Sequence, residues 1–282
     1  MLVTLFRFLS FLPLPFLHAV GSALGWLVYV FSGNYRRRLI ENINRAGFDD
    51  YLKPAIREAG KNIMELPFIW CANPARVLAT ATVDNWECVQ AALDAKKGVI
   101  LLTPHLGCFE IVGQSIAART RVTCLYRPPR RTALNPLIEG ARSRNNLLLA
   151  PANLSGVRTL AKALKKGEAI GLLPDQVPQE GEGVWANFFG KAAYTMTLSA
   201  KLQSMTDATI ILAYAERLPH GRGYIVRYSN FEESLEGDPK QRAEIINKAM
   251  EKLIARCPSQ YFWSYNRYKK PEGVPPPDQE TA

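Results

Sequence analysis

The chain has 282 residues, 48% of them hydrophobic, and a formal net charge of +10. That length suits one large domain or one domain plus appendages, and that charge points to an anionic partner: nucleic acid, membrane headgroups or an acidic protein. Five cysteines (Cys71, Cys88, Cys108, Cys124 and Cys257) lack CxxC spacing, which argues against a disulfide framework or a zinc site.

Residues 8–31 contain no Lys, Arg, Asp or Glu. The stretch is long enough to span a bilayer with some tilt, while Pro13, Pro15 and His18 leave a kinked or interfacial helix open. No small-residue cleavage site precedes the cluster Tyr35-Arg36-Arg37-Arg38, so the segment reads as an uncleaved anchor. Basic residues beside an apolar span mark the cytoplasmic side. The expected organisation is an anchor over 1–33, a cytoplasmic domain over 34–270 and a Pro-rich, disordered tail over 271–282.

Helical periodicity runs over 34–46 and 52–71, where Leu39, Ile43 and Ala46 share one face and Ile56, Ile63 and Phe68 another. A short helix is expected over 85–96. From residue 98 the pattern alternates in βα fashion. Strands are expected at 98–103, 122–126, 147–150, 168–173, 208–215 and 223–228, and helices at 109–118, 134–145, 156–166, 195–205 and 239–256. This predicts an α/β fold with a central mixed sheet flanked by helices.

After the first of these strands comes Thr103-Pro104-His105-Leu106-Gly107-Cys108-Phe109-Glu110. On one helix, residues five apart lie roughly 140° apart and do not face each other. His105 and Glu110 meet only if Pro104 to Gly107 form a turn and Glu110 lies in the next helix. A strand, a turn and a helix put polar groups at the carboxyl edge of a sheet, where α/β proteins keep their sites. A carboxylate there orients an imidazole, whose other nitrogen takes a proton from a hydroxyl.

From residue 119 to 144 there are seven arginines, no lysine and one acidic residue. The arginine fork suits phosphate and carboxylate. No nucleic-acid-binding module is recognisable, so nucleic acid is not the expected partner. Residues 174–193 read as a long loop, with Trp185, Phe188 and Phe189 as candidates for an apolar pocket or lid.

His105-Leu106-Gly107-Cys108-Phe109-Glu110 resembles the His-(Phe/Leu)-Gly-Asn-Trp-Glu segment of the lipid A biosynthesis acyltransferases of Gram-negative bacteria, with Cys108 and Phe109 departing from Asn-Trp. Tyr126-Arg127-Pro128, Asn135-Pro136-Leu137, Arg142-Ser143-Arg144, Leu173-Pro174-Asp175-Gln176 and Phe188-Phe189-Gly190 resemble later landmarks of that family in order. The segment from Tyr261 to Lys269 resembles its C-terminal Trp-x-His-Arg-Arg-Phe-Lys, with Tyr265 and Asn266 substituted. The resemblance implies a glycerol-phosphate-acyltransferase-like fold and transfer of a lauroyl- or myristoyl-class chain from acyl carrier protein to a hydroxyl of a Kdo-lipid IVA-type precursor. It implies His105 and Glu110 as catalytic residues, and Arg142, Arg127, Asp175 and Arg144 as substrate-binding or oxyanion groups. It implies neither metal nor cofactor, and the bacterial inner membrane as location.

A glycerolipid acyltransferase shares the dyad, but Leu-Pro-Asp-Gln-Val stands where its Phe-Pro-Glu-Gly-Thr belongs. Another glycolipid acceptor stays open. A non-enzymatic anionic-lipid-binding protein needs the arginines and the anchor but neither His105 nor Glu110. A cysteine hydrolase using Cys108 lacks any mark of an activated thiolate.

Overall fold

A computed structural model describes residues 2–126, 135–142 and 146–277. Six helices come first: α1 (Leu2–Leu9), α2 (Leu14–Phe31), α3 (Gly33–Arg45), α4 (Leu52–Met64), α5 (Leu66–Cys71) and α6 (Pro74–Leu78). The apolar N-terminal stretch is thus two helices, because Pro13 supplies no N–H for a helical bond and caps the start of α2. The helix expected over 52–71 also divides, at the buried Glu65, with Pro67 in the first turn of α5.

The rest of the chain alternates. It runs β1 (Ala81–Asp84), α7 (Trp86–Asp94), β2 (Val99–Leu102), α8 (Phe109–Ala117), β3 (Val122–Tyr126), α9 (Asn135–Arg142), β4 (Leu147–Pro151), α10 (Leu154–Lys165) and β5 (Ala169–Leu172). Then follow β6 (Gly183–Phe188), β7 (Lys191–Met196), α11 (Leu198–Thr206), β8 (Thr209–Arg217), β9 (Tyr224–Asn230) and α12 (Pro239–Arg256). Seven strands form a mixed sheet in the order β1-β9-β8-β2-β5-β3-β4. Only β8 and β9 pair antiparallel in it. The fold is the expected α/β sheet with flanking helices. The sequence pattern missed β1, a four-residue edge strand too short and too polar to declare itself.

β2 is buried on both faces. Ile100 and Leu102 face a core layer built with Leu39, Ile56, Leu160 and Met250. Val99 and Leu101 face the other layer, with Phe68, Val89, Ile111 and Val226. Each such fully buried aliphatic side chain contributes about 1.5–3 kcal/mol, so the sheet centre is the most firmly fixed part of the chain.

Of the loop expected over 174–193, residues 174–182 are irregular as expected and the remainder corrects to a hairpin of β6 and β7, turned at Phe189 and Gly190, both at positive φ. Two such residues make the turn whose twist matches a hairpin. Alanines at 186, 192 and 193 have low strand propensity and hid the alternation. Of the tail expected to be disordered, residues 271–277 are described and pack on the body: Val274 is buried, and Trp185 Nε1 donates to Pro275 O at 2.9 Å, while 278–282 lie outside the described residues.

Candidate active site

β2 and β5 pair in parallel, with Leu102 opposite Leu172, and Thr103 N–H extends the ladder to Leu172 O at 3.2 Å. His105 and Asp175 therefore leave the same sheet edge at equal offsets. There His105 Nδ1 lies 2.8 Å from Asp175 Oδ1, and the His105 backbone N–H donates to Oδ2 at 2.8 Å. With Nδ1–H donating to the carboxylate, Nε2 keeps its lone pair and accepts from the Gln176 amide at 3.0 Å. Asp175 is 2% exposed. Burial pushes its carboxyl up, but the His105 ring and the two hydrogen bonds outweigh this and hold it below the usual carboxylate range.

The turn before α8 is fastened on two sides. Gly107 N–H donates to Gln260 O at 3.0 Å, Cys108 N–H to Ala215 O at 2.9 Å, and Phe262 N–H to His105 O at 3.1 Å. Gly107 has φ +59°, and a Cβ there would sit 1.8 Å from Ala215 O. Only glycine meets both conditions.

Glu110 differs from its expected place. It turns toward α9, where Arg142 Nε donates to Oε2 at 3.1 Å and Nη2 donates to Oε1, a bidentate pair. Asp175, not Glu110, is the carboxylate on the His105 ring. The turn and helix form as expected, but the sheet register delivers Asp175 directly beside the His105 ring, and α9 brings Arg142 to Glu110. Burial works against the Arg142 charge, and Glu110 outweighs it. The Arg142 guanidinium also lies 5.5 Å from the Tyr126 ring centroid. Of the other arginines in that run, Arg119 bonds Ser115 O and Arg121 reaches Glu168 at 3.8 Å. Arg127 and Arg144 lie outside the described residues.

His105, Gln176, Glu110 and Arg142 share a cavity of about 690 Å³. Its walls are mainly apolar, among them Phe109, Val112, Ile116, Leu125, Leu147 and Leu198. A site of this kind can bury an apolar ligand that presents a polar group to the imidazole. Trp185, Phe188 and Phe189, expected in that pocket, do not line it. Trp185 stacks edge-on against Tyr194, Phe188 is 2% exposed in the core, and Phe189 packs on Phe48 and Trp263. The hairpin turns them toward α12 and the C-terminal segment, away from the sheet edge.

Sequence reasoning passed over Gln176 as a site residue, although it adjoins Asp175. It also passed over Tyr261, whose hydroxyl bonds Asp175. Cys108 is 1% exposed, and its thiol is pushed well above its ordinary value by burial and then by Glu65. That rules against a thiolate nucleophile. Among the described residues, no group of three or more His, Cys, Asp or Glu has the arrangement to hold a metal ion.

A family model described as bacterial lipid A biosynthesis acyltransferase matches residues 1–270. The chain is 27% identical over 281 residues to the lipid A biosynthesis lauroyltransferase of Escherichia coli (strain K12), covering 94% of this chain and 89% of that one. It is 25% identical over 271 residues to the lipid A biosynthesis palmitoleoyltransferase of the same organism, covering 92% and 86%. It is 25% identical over 279 residues to a lipid A biosynthesis acyltransferase of Haemophilus influenzae, covering 95% and 88%.

Proposed function

The chain belongs to the bacterial lipid A biosynthesis acyltransferase family, and on that premise we propose that it moves a lauroyl- or myristoyl-class acyl chain from acyl carrier protein to a hydroxyl of a Kdo-lipid IVA-type acceptor. The family entails an acyl donor and a lipid acceptor, and the apolar helix α2 is in keeping with membrane association. The proposed location is the cytoplasmic face of the bacterial inner membrane.

The observation that carries the reading is the His105 ring. Asp175 holds one nitrogen, and the other offers its lone pair at an apolar cavity. A secondary hydroxyl is a poor nucleophile near neutral pH and needs such a base. In the proposed step the acceptor hydroxyl replaces the Gln176 amide on Nε2. His105 takes its proton as the oxygen attacks the thioester carbonyl, and Asp175 stabilises the imidazolium. The resulting oxyanion is met by the Phe109 and Glu110 amides at the start of α8, where the helix itself supplies no acceptor, and by the positive field of Arg142. Collapse expels the thiolate, which recovers the proton from His105. Glu110 keeps Arg142 in place, and the Arg142 charge also suits the acceptor's phosphates.

The test is mass spectrometry of lipid A from cells lacking the protein, with purified enzyme offered acyl carrier protein or coenzyme A thioesters. Loss of one secondary acyl chain, and turnover with the carrier-protein thioester, are expected. Unchanged lipid A beside altered phospholipid overturns the acceptor. Turnover only with coenzyme A overturns the donor.

A further inference from the structure

α2 is long and apolar enough to cross a membrane by length and composition. Its surroundings say how it meets one. Leu14, Leu17, His18, Gly21 and Gly25 form a single buried face along the helix. A Cβ on Gly60 of α4 would lie 1.9 Å from Gly21 O, and one on Gly25 would lie 2.1 Å from Ile56 O. The two helix backbones are therefore in contact. α4 carries Lys53, Arg57, Glu58 and Lys61, and His18 Nε2 lies 3.2 Å from the buried Glu65.

Both ends of the helix are fastened as well. Gly221 packs on Pro15 so closely that a Cβ would fall 2.5 Å from it. Arg76 donates to Ser10 O at 3.0 Å and Phe11 O at 3.3 Å, fixing the break between α1 and α2. Phe6 stacks on Trp70 at 5.9 Å. At the far end Arg36 donates to Val30 O at 3.2 Å. α2 cannot stand across a bilayer without drawing α4 and its charges into hydrocarbon, where ionised side chains are costly.

The opposite face is apolar and open. On α2, Phe16 and Leu27 are each 53% exposed and Phe31 80%, and Leu5 and Phe8 of α1 and Phe11 in the break between the helices are exposed as well. Arg7 lies near the start of this stretch in the chain, and Arg36, Arg37 and Arg38 follow its end. An apolar face flanked in the chain by arginines fits the headgroup boundary of an anionic leaflet.

We propose that the outer face of α1 and α2 embeds in one leaflet, parallel to the membrane plane, and that residues 1–33 do not cross the bilayer. The occupant of this surface is the acyl-chain boundary of an anionic membrane. The inference rests on membrane association and not on acyl transfer, so its failure leaves the proposed reaction untouched.

The experiment uses the full chain with one epitope tag before Met1 and another after Ala282. It is placed in sealed vesicles whose outer side carries the C-terminal tag, and an impermeant protease is added. In-plane embedding predicts loss of both tags at the same rate. Protection of the N-terminal tag until detergent is added overturns the proposal. The triple variant Phe11→Ser, Phe16→Ser and Leu27→Ser should bind phosphatidylcholine–phosphatidylglycerol vesicles at least about tenfold more weakly, with unchanged thermal unfolding in detergent. Undiminished vesicle binding overturns the assignment of the surface.

Discussion

His18 and His105 each lie against a buried carboxylate, at 3.2 Å from Glu65 and 2.8 Å from Asp175. Around Glu65 every position is taken. Arg217 Nε donates to Oε2 at 2.7 Å and Nη2 to Oε1 at 2.5 Å, while Tyr224 OH donates to Oε2 at 3.0 Å. Arg217 Nη1 reaches Glu58 at 2.7 Å. His18 is 3% exposed, and its Nδ1 is buried without a partner among the described residues. At His105 the carboxylate occupies one nitrogen only, and the other faces the cavity. A closed set of charges fastens α2, α5 and β8 together. An open one leaves a proton acceptor where a substrate arrives. The segment from His105 to Glu110 touches both, since Cys108 between them faces Glu65.

The largest effect should come from the open site. His105→Ala is expected to lower kcat by about 10²–10⁴-fold with no change in thermal unfolding, the range of a lost general base. Near-normal turnover in an acyl-transfer assay would remove His105 from the chemistry.

Arg217→Met strikes the closed site and should do the reverse. It leaves Glu65 charged, buried and without its main partner, which costs about 3–5 kcal/mol of stability. Activity per folded molecule should survive. Denaturant unfolding and active-fraction titration read the two quantities separately, and a wild-type midpoint would deny the network its structural role.

Asp175→Asn keeps shape but lets an amide donate to Nδ1, which turns the His105 lone pair away from the cavity. By analogy with orienting carboxylates elsewhere, kcat should fall by about 10²-fold or more while KM changes little. A loss confined to KM would make Asp175 a substrate contact instead.

Glu110→Gln and Arg142→Ala should each lower activity by roughly tenfold or more, the scale of one electrostatic contact in the transition state. Because Glu110 acts through Arg142, the double variant should be no worse than the Arg142 variant alone. Additive losses in this double-mutant cycle would separate their roles.

The mildest test is acid. Burial raises the Glu65 carboxyl, but Arg217 and His18 outweigh it and bring it from 4.5 down to about 2. A depressed carboxylate stabilises the fold fully above its unfolded value, and that stability is lost as pH falls through the folded one. Stability should therefore decline from about pH 4.5 toward about pH 2, and Asp175, also lowered, adds to the same decline. Urea unfolding across that window should show a smaller acid dependence in the Arg217→Met variant. An equal dependence would assign the decline to other carboxylates.

Much of this was legible before folding. The buried runs at β2, β5 and β8 were visible because fully apolar segments have no other stable place, and α12 matched its expected bounds of 239–256. His105 stood out because a turn between a strand and a helix is encoded locally by Pro104 and Gly107. Glu110 was visible for the same reason, but its partner was not. Arg142 is 32 residues away, and Asp175 is 70 residues from His105.

What the sequence by itself determined, then, is the set of elements and the segments that carry chemistry, since both rest on short-range spacing. Tertiary structure decided who meets whom. The parallel register of β2 on β5 sets Asp175 against His105, and the packing of α9 on α5 and β4 brings Arg142 to Glu110. The contact of Gly21, Gly25 and Gly60 fixes α2 on the body, and the hairpin turns Trp185 and Phe188 from the cavity. Strand pairing and backbone contact join residues distant in the chain, so no local pattern contains them.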